Sequence, residues 1–166
     1  MRMEQVSLQQ EQDLEAVLRR YSDMVYRVAY TQTKCVSDAE DVYQEVFLQY
    51  VKKNPVFASE EHRKAWLLKV TVNYCKKLWR SAWRRKTTLC ETVPEPVNLA
   101  AEHKFLLEAL RQLPLQDRTV LHLFYYEDLP VREIGQLLGK KESNVRTQLT
   151  RARDKLKGIL KEDWIE

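Results

Sequence analysis

The sequence predicts an all-α protein made of two small helical domains joined by a short linker. Three observations carry this. Apolar residues recur at steps of three and four along most of the 166 residues. Only 3 Gly and 5 Pro are present, too few for the many turns of an all-β fold. Between Thr87 and Leu99 the helical periodicity lapses, in TTLCETVPEPVNL, where Pro94 and Pro96 favour an extended chain. The expected organisation is a first domain at 1–86, a linker at 87–100 and a second domain at 101–166.

The first helix is expected over residues 13 to about 34, burying Leu14, Val17, Leu18, Tyr21, Val25 and Val28. Ser37-Asp38-Ala39-Glu40 then reads as a capping box, with Ser37 as cap and Glu40 reaching back. The helix it opens buries Ala39, Val42, Val46 and Tyr50. It ends at Lys52-Lys53-Asn54-Pro55, where the lysines suit the helix dipole and Pro55 blocks continuation. After a loop from Pro55 to Ser59, a third helix is expected from Glu60 to Lys86, with Trp66, Leu67, Val70, Tyr74 and Leu78 as its apolar stripe. Trp66 reads as core. Trp79 and Trp83, interleaved with basic residues, suit either core packing or stacking on unpaired bases.

Beyond the linker, Phe105, Leu106, Leu110 and Leu113 mark one helix, and Val120, Leu121, Phe124 and Tyr125 the next. These would bury the first helix of the pattern LPVREIGQLLGKKESNVRTQLTRARDKL. Its first amphipathic run holds Leu129, Ile134, Leu137 and Leu138 and stops at Gly139. Its second holds Val145, Leu149, Ala152 and Leu156, with Ser143 as the expected N-cap. Two short helices across a glycine turn make a helix-turn-helix, whose second helix usually enters the major groove of DNA. A plain helical hairpin with a solvated basic face is the alternative. The tail Lys161–Glu166 is expected to fray.

Charge is unevenly spread. Residues 1–60 hold 7 Lys/Arg and 10 Asp/Glu, whereas residues 61–86 hold 9 Lys/Arg and a single acid. An acidic segment followed by a basic island predicts two different partner surfaces. On the second helix, Asp38, Asp41, Gln44, Glu45 and Gln49 form an acidic, amide-bearing face suited to docking a basic protein. Asp41 and Glu45 lie one turn apart, but no third ligand or His accompanies them, so no metal site is expected. His62, His103 and His122 stand alone in sequence, without a nucleophile or phosphate-cradling glycines, so no catalytic residue, enzyme activity or cofactor is expected. The beginning of the chain lacks the apolar core of a secretory signal, and no run approaches the roughly 20 apolar residues that span a bilayer. Cys35, Cys75 and Cys90 are read as reduced thiols of a cytoplasmic protein.

Several segments together resemble the sigma-70 family of bacterial RNA polymerase sigma factors, specifically the extracytoplasmic-function (ECF) group, which keeps only regions 2 and 4. Asp38-Ala39-Glu40-Asp41-Val42-Tyr43-Gln44-Glu45-Val46-Phe47 resembles the region 2 motif that docks on the β′ clamp helices. Ala65-Trp66-Leu67 through Asn73 resembles the segment that melts and reads the −10 promoter element. Leu113-Pro114, Tyr125-Tyr126-Glu127-Asp128-Leu129, Glu133-Ile134-Gly135 and Val145 through Arg153 resemble region 4, the −35 reader. The chain departs from the family pattern at Pro130, where a Ser or Thr cap is common, at Lys77, where Asp is common, and at Val72, where Arg often precedes the Asn.

The resemblance implies a region 2-like bundle and a region 4-like helix-turn-helix that bind core RNA polymerase, through the β′ clamp helices and the β flap, together with promoter DNA. It implies −10 contacts from His62, Arg63, Asn73, Lys76 and Arg80, near a base pocket at Phe57–His62. It implies −35 contacts from Lys141, Ser143, Asn144, Arg146, Thr147 and Arg151. It also implies an alternative, stress- or envelope-responsive sigma factor, cytoplasmic, at the nucleoid when active, and restrained by an anti-sigma factor that in many relatives is membrane-anchored. A conventional DNA-binding regulator would instead bind duplex DNA stably without polymerase. A helical adaptor would show little salt-dependent affinity for nucleic acid.

Overall fold

The structure is a computed structural model that describes residues 2–85 and 108–165. The expected linker at 87–100, the pattern at Phe105 and Leu106 and the side chain of Trp83 lie outside the described residues. Helix α1 spans Arg2–Thr33, α2 Val36–Lys53 and α3 Glu60–Arg85. Residues 108–111 are helical and lead into α4, Leu115–Leu121, which widens into a π-helical turn at His122–Tyr126. Helices α5, Val131–Leu138, and α6, Glu142–Ile165, complete the described chain. Among the described residues there is no strand, as expected.

Helices α1, α2 and α3 pack on one another. Their facing stripes are Val17, Tyr21, Val25 and Val28, then Ala39, Val42, Val46 and Tyr50, then Leu67, Leu68, Val72 and Cys75, all buried. Burial of each large aliphatic side chain contributes about 1.5–3 kcal/mol, so this mutual packing outweighs any local preference. Two tyrosine hydroxyls lock the ends: Tyr21 donates to Glu60 Oε2 at 2.7 Å, and Tyr50 donates to Asp13 Oδ2 at 2.8 Å. Burial and the Asp13 bond push the Tyr50 hydroxyl up to about 12. Trp66 is partly buried, edge-on to Tyr50 and Phe57 with centroids 5.9 Å from each, and so anchors the 55–59 loop.

The helix starts differ from the expected ones. Helix α2 begins at Val36 with Cys35 as N-cap, and Ser37 makes no capping bond. Lys34 ends α1 in the left-handed region at φ 57°, Cys35 is extended, and the chain re-enters a helix at once. Ser37 is therefore already inside the first turn. In the same way Val145 N–H donates to Lys141 O, so α6 opens at Glu142 and Ser143 is not its cap. Helix α1 also starts eleven residues before the expected position, because Met, Glu and Gln ahead of Leu14 favour helix and no Gly or Pro interrupts them. Helix α6 runs through Ile165, where fraying was expected. Cys35 is disulfide-bonded, which corrects the reading of three reduced thiols. Cys75 is a free, buried thiol that burial, and then the Asp38 charge, push up to about 12.

In the second unit, α4 and α5 pack on α6 around Leu113, Val120, Ile134, Val145, Leu149 and Ala152, all buried. Gly139 takes φ 66° to close the turn after α5. Gly135 has a different task. A Cβ there would lie 2.7 Å from Lys140 O, which itself accepts no side-chain relief because it is backbone. Gly135→Ala is expected to force the turn apart and lower stability by about 1–3 kcal/mol in thermal unfolding. An unchanged midpoint would contradict this close packing.

Candidate nucleic-acid and protein interfaces

Among the described residues, three exposed faces carry the side chains expected to make contacts, one on each of α2, α3 and α6. On α2 the buried stripe turns Asp41, Gln44 and Glu45 to solvent, with Asp38 and Gln49 half-buried at the margins. Residues three and four apart share a face, so these five form one acidic, amide-bearing strip. Asp41, Gln44, Glu45 and Gln49 share an open groove with Tyr74, Lys77, Leu78 and Ser81 of α3. Burial, and then the Asp41 charge, raise the Asp38 carboxyl. Sequence reasoning assigned Lys77 to the basic island, yet it borders this acidic groove, with its ammonium 5.9 Å from the Tyr74 ring centroid. Only the packing of α2 on α3 reveals that.

On α3, His62, Asn73, Lys76 and Arg80 are all exposed. At 100° per residue, positions 62, 73 and 80 almost coincide in azimuth and Lys76 lies close by, so the four make one stripe about 27 Å long. Exposed Lys69 falls on the same stripe, although it was not among the expected contacts. Arg63 does not join them. It is rotated by about 100° from His62 and half-buried, bonded to Glu60 Oε1 at 3.0 Å and lying 5.4 Å from the Phe57 ring centroid. Its place is against the 55–59 loop, where Val56 is 96% exposed. Ser59 caps the helix through a 3.2 Å bond from His62 N–H. Trp79 is 45% exposed, and its indole N–H donates to Gln32 O at 3.1 Å.

On α6, Val145, Leu149 and Ala152 face inward, and Ser143, Asn144, Arg146, Thr147 and Arg151 face outward. Lys141, also exposed, sits at the helix start beside them. Asn144, Thr147 and Arg151 are one turn apart and line a groove with Pro114–Asp117 of α4. Arg146 rests 3.2 Å from Glu142, an exposed pair worth at most a few tenths of a kcal/mol, so its guanidinium is available. The Thr147 and Thr150 hydroxyls donate back to Ser143 O and Arg146 O at 3.0 and 3.1 Å. The outer face thus carries amide, hydroxyl and guanidinium groups with the geometry of a major-groove reader.

A fourth feature was missed from sequence. An apolar groove of about 330 Å³ is lined by Leu110, Leu121, Tyr125, Tyr126, Leu156 and Leu160, with Arg153 and Lys157 at its rim. Leu110, Leu121, Tyr125 and Leu156 belong to the apolar stripes expected to pack as core, so no periodic signal sets the groove apart. Among the described residues no three His, Cys, Asp or Glu side chains are placed to hold a metal ion, and no helix is long and apolar enough to cross a membrane.

Comparison with known proteins places these faces in a family. Residues 17–85 match the profile described as "Sigma-70 region 2", and residues 106–156 match "Sigma-70, region 4". Together the two matches cover more than two thirds of the chain. The chain is 29% identical over 131 residues to RNA polymerase sigma factor SigV of Bacillus subtilis, covering 76% of this chain and 78% of that protein. It is 30% identical over 165 residues to ECF RNA polymerase sigma factor SigE of Mycolicibacterium smegmatis, covering 88% of this chain and 61% of that protein. Its fold is similar to the sigma factor RpoE solved with the anti-sigma factor NepR from Bartonella quintana. There the TM-score is 0.77 at 18% identity, over 90% of this chain and 97% of that one. It is also similar to CnrH solved with the cytosolic domain of CnrY, at a TM-score of 0.67 and 21% identity, over 92% and 90% of the two chains. With the two regions matched in order, and carried by helices that expose an acidic face, a basic stripe and a helix-turn-helix, the chain belongs to the sigma-70 family of RNA polymerase sigma factors, in its extracytoplasmic-function group.

Proposed function

We propose that this protein docks on core RNA polymerase and directs initiation at promoters that it reads at two places. The observation that carries the reading is the order of three chemically distinct exposed faces along a chain matched by both regions of the family. Asp38, Asp41, Gln44, Glu45 and Gln49 dock on basic side chains of the β′ clamp helices, and Lys77 sets one border of that contact. The apolar groove between the π-helical turn and the end of α6 suits an apolar helix such as that of the β flap. His62, Asn73, Lys76 and Arg80, with Arg63 supporting the 55–59 loop, take the melted −10 strand. Extruding a base costs a few kcal/mol of stacking, which a pocket with aromatic and polar walls offsets. Lys141, Ser143, Asn144, Arg146, Thr147 and Arg151 read the −35 duplex.

The units that do this are residues 1–86 and 101–166, with 87–100 as the connecting segment, working in the cytoplasm. The protein acts as an alternative sigma factor held inactive by an anti-sigma factor, a reading supported by the similar fold of the sigma factor RpoE solved with the anti-sigma factor NepR. Polymerisation chemistry belongs to the polymerase, and this chain contributes binding and positioning. A salt titration tests the α3 assignment. Each phosphate contact on single-stranded DNA contributes about 0.7 to the log–log salt slope, so Lys76→Ala/Arg80→Ala should reduce that slope by about 1.4. An unchanged slope would remove the stripe from the −10 interface.

A further inference from the structure

One amide on the face of α6 is not free to choose which edge it shows to DNA. Gln148 lines the same groove as Asn144, Thr147 and Arg151. At 100° per residue it lies about 40° in azimuth from Asn144 and about 60° from Arg151, so it borders the −35 contacts proposed above. Lys140 Nζ donates to Gln148 Oε1 at 2.7 Å. An ammonium has donors and no acceptor, so the carbonyl oxygen of the amide must be the atom turned to it. The NH2 group is then the open edge, and no other described group bonds it.

The turn of the helix-turn-helix aims the lysine. Gly139, at φ 66°, brings Lys140 back against α5, where its N–H donates to Gly135 O at 2.9 Å. The close approach of Lys140 O to Gly135 leaves no slack there, and the half-buried side chain reaches eight residues ahead to Gln148. Burial, and then the Lys76 charge, lower the Lys140 ammonium, and Asp117 opposes them. Asp117 is itself bonded to Lys155 Nζ at 2.8 Å, so its carboxylate does not draw Lys140 off the amide. The base chemistry follows from the edge left open. An unrestrained glutamine suits adenine, because its oxygen accepts from N6–H while its NH2 donates to N7. With the oxygen taken, only donors remain. Guanine offers the acceptors O6 and N7 in the major groove, whereas adenine sets a donor beside N7.

We propose that Lys140 is a positioning residue that fixes the Gln148 amide with its NH2 outward, so that Gln148 selects guanine over adenine at one base pair of the −35 element. The inference rests on the reading of α6 as the −35 helix, while the pairing of Lys140 with Gln148 stands on its own contact. Lys140 acts through Gln148, so its removal changes which base is chosen and not how many phosphates are held.

The test uses the full chain with core RNA polymerase and a pool of random-sequence linear duplexes, sequenced after selection. Gln148→Ala marks the position, because the guanine preference should vanish there alone. At that position Lys140→Met should lower the guanine-to-adenine ratio by at least about fivefold, and Lys140→Arg, which keeps a donor toward the oxygen, should hold it near the parent. A lysine on phosphate would contribute about 0.9 to the log–log salt slope, so a positioning lysine leaves that slope unchanged in Lys140→Met. An unchanged base ratio, or a slope reduced by about 0.9 with the ratio kept, would overturn the inference. The contact itself is read without DNA. In the amide NMR spectrum of the free protein, the Gln148 side-chain signal, identified by its loss in Gln148→Ala, should shift in Lys140→Met; an unmoved signal overturns the pairing. If Lys140→Met does not fold by circular dichroism, Gln148→Glu decides. It keeps an acceptor toward Lys140 and replaces the NH2 by oxygen, so guanine should give way to cytosine, whose N4 donates; guanine retained would overturn the inference. A parent that selects no sequence overturns the −35 reading and the base preference with it, while the amide signal still decides the pairing.

Discussion

Asp41→Arg is expected to abolish stable binding to core RNA polymerase while leaving duplex DNA recognition by the second unit intact. Asp41 is exposed in the middle of the acidic strip on α2, with Gln44 and Glu45 one turn away and Lys77 across the groove. Reversing its sign removes an attraction and places a cation against the basic partner that the strip is built to meet. Losses of 2–5 kcal/mol are typical where a paired interfacial charge is removed, which is roughly 30-fold to several thousand-fold in affinity. The fold should tolerate the change, because the stripe that packs α2 is Ala39, Val42, Val46 and Tyr50 on the opposite side. The Asp38 carboxyl, raised in part by Asp41, should move down in the variant. Normal polymerase affinity of Asp41→Arg would detach the acidic strip from the docking role.

Arg146→Ala should produce the complementary phenotype. Its guanidinium is exposed on the outer face of α6, and only the Glu142 pair restrains it. Losing that pair costs the fold little, so the expected loss of about 1–3 kcal/mol falls on DNA. That is about 5-fold to 150-fold in −35-dependent binding, with polymerase affinity unchanged. If the loss is uniform across duplex sequences, Arg146 contacts phosphate; if it is confined to particular base pairs, Arg146 reads base edges. Lost polymerase binding in this variant would contradict the separation of roles between α2 and α6.

These assignments were legible in different degrees. The α2 strip was plain, because a regular apolar stripe of Ala39, Val42, Val46 and Tyr50 fixes by geometry what must face outward. The helix-turn-helix was equally plain from Val145, Leu149 and Ala152 and from Gly139, whose positive φ the turn requires. The helix starts were not. Ser37 and Ser143 both looked like caps, but a cap is set by where the preceding chain leaves the left-handed or extended region, and Lys34 and Lys141 decide that. The resemblance implies a −10 contact for Arg63 alongside His62, Asn73, Lys76 and Arg80, but only the structure shows that its azimuth and the Glu60 bond turn it toward the loop. The contacts of Gln32 with Arg118 and of Thr31 with His122 span 86 and 91 residues, and no local pattern announces a polar partner so distant. The apolar groove beside Tyr125 and Leu156 escaped for a related reason, since an unfilled gap between helices has the same sequence signature as a filled one.

The central claim is that this chain confers promoter choice on RNA polymerase. Run-off transcription with the purified protein, core RNA polymerase and fragmented bacterial DNA, followed by sequencing of the RNA 5′ ends, tests it most directly. The account predicts initiation at a discrete set of sites that share two upstream elements, only when the protein is present, and reduced to background by Asp41→Arg. Absence of protein-dependent initiation, with duplex binding intact in a gel shift, would contradict it and leave a conventional DNA-binding regulator in its place.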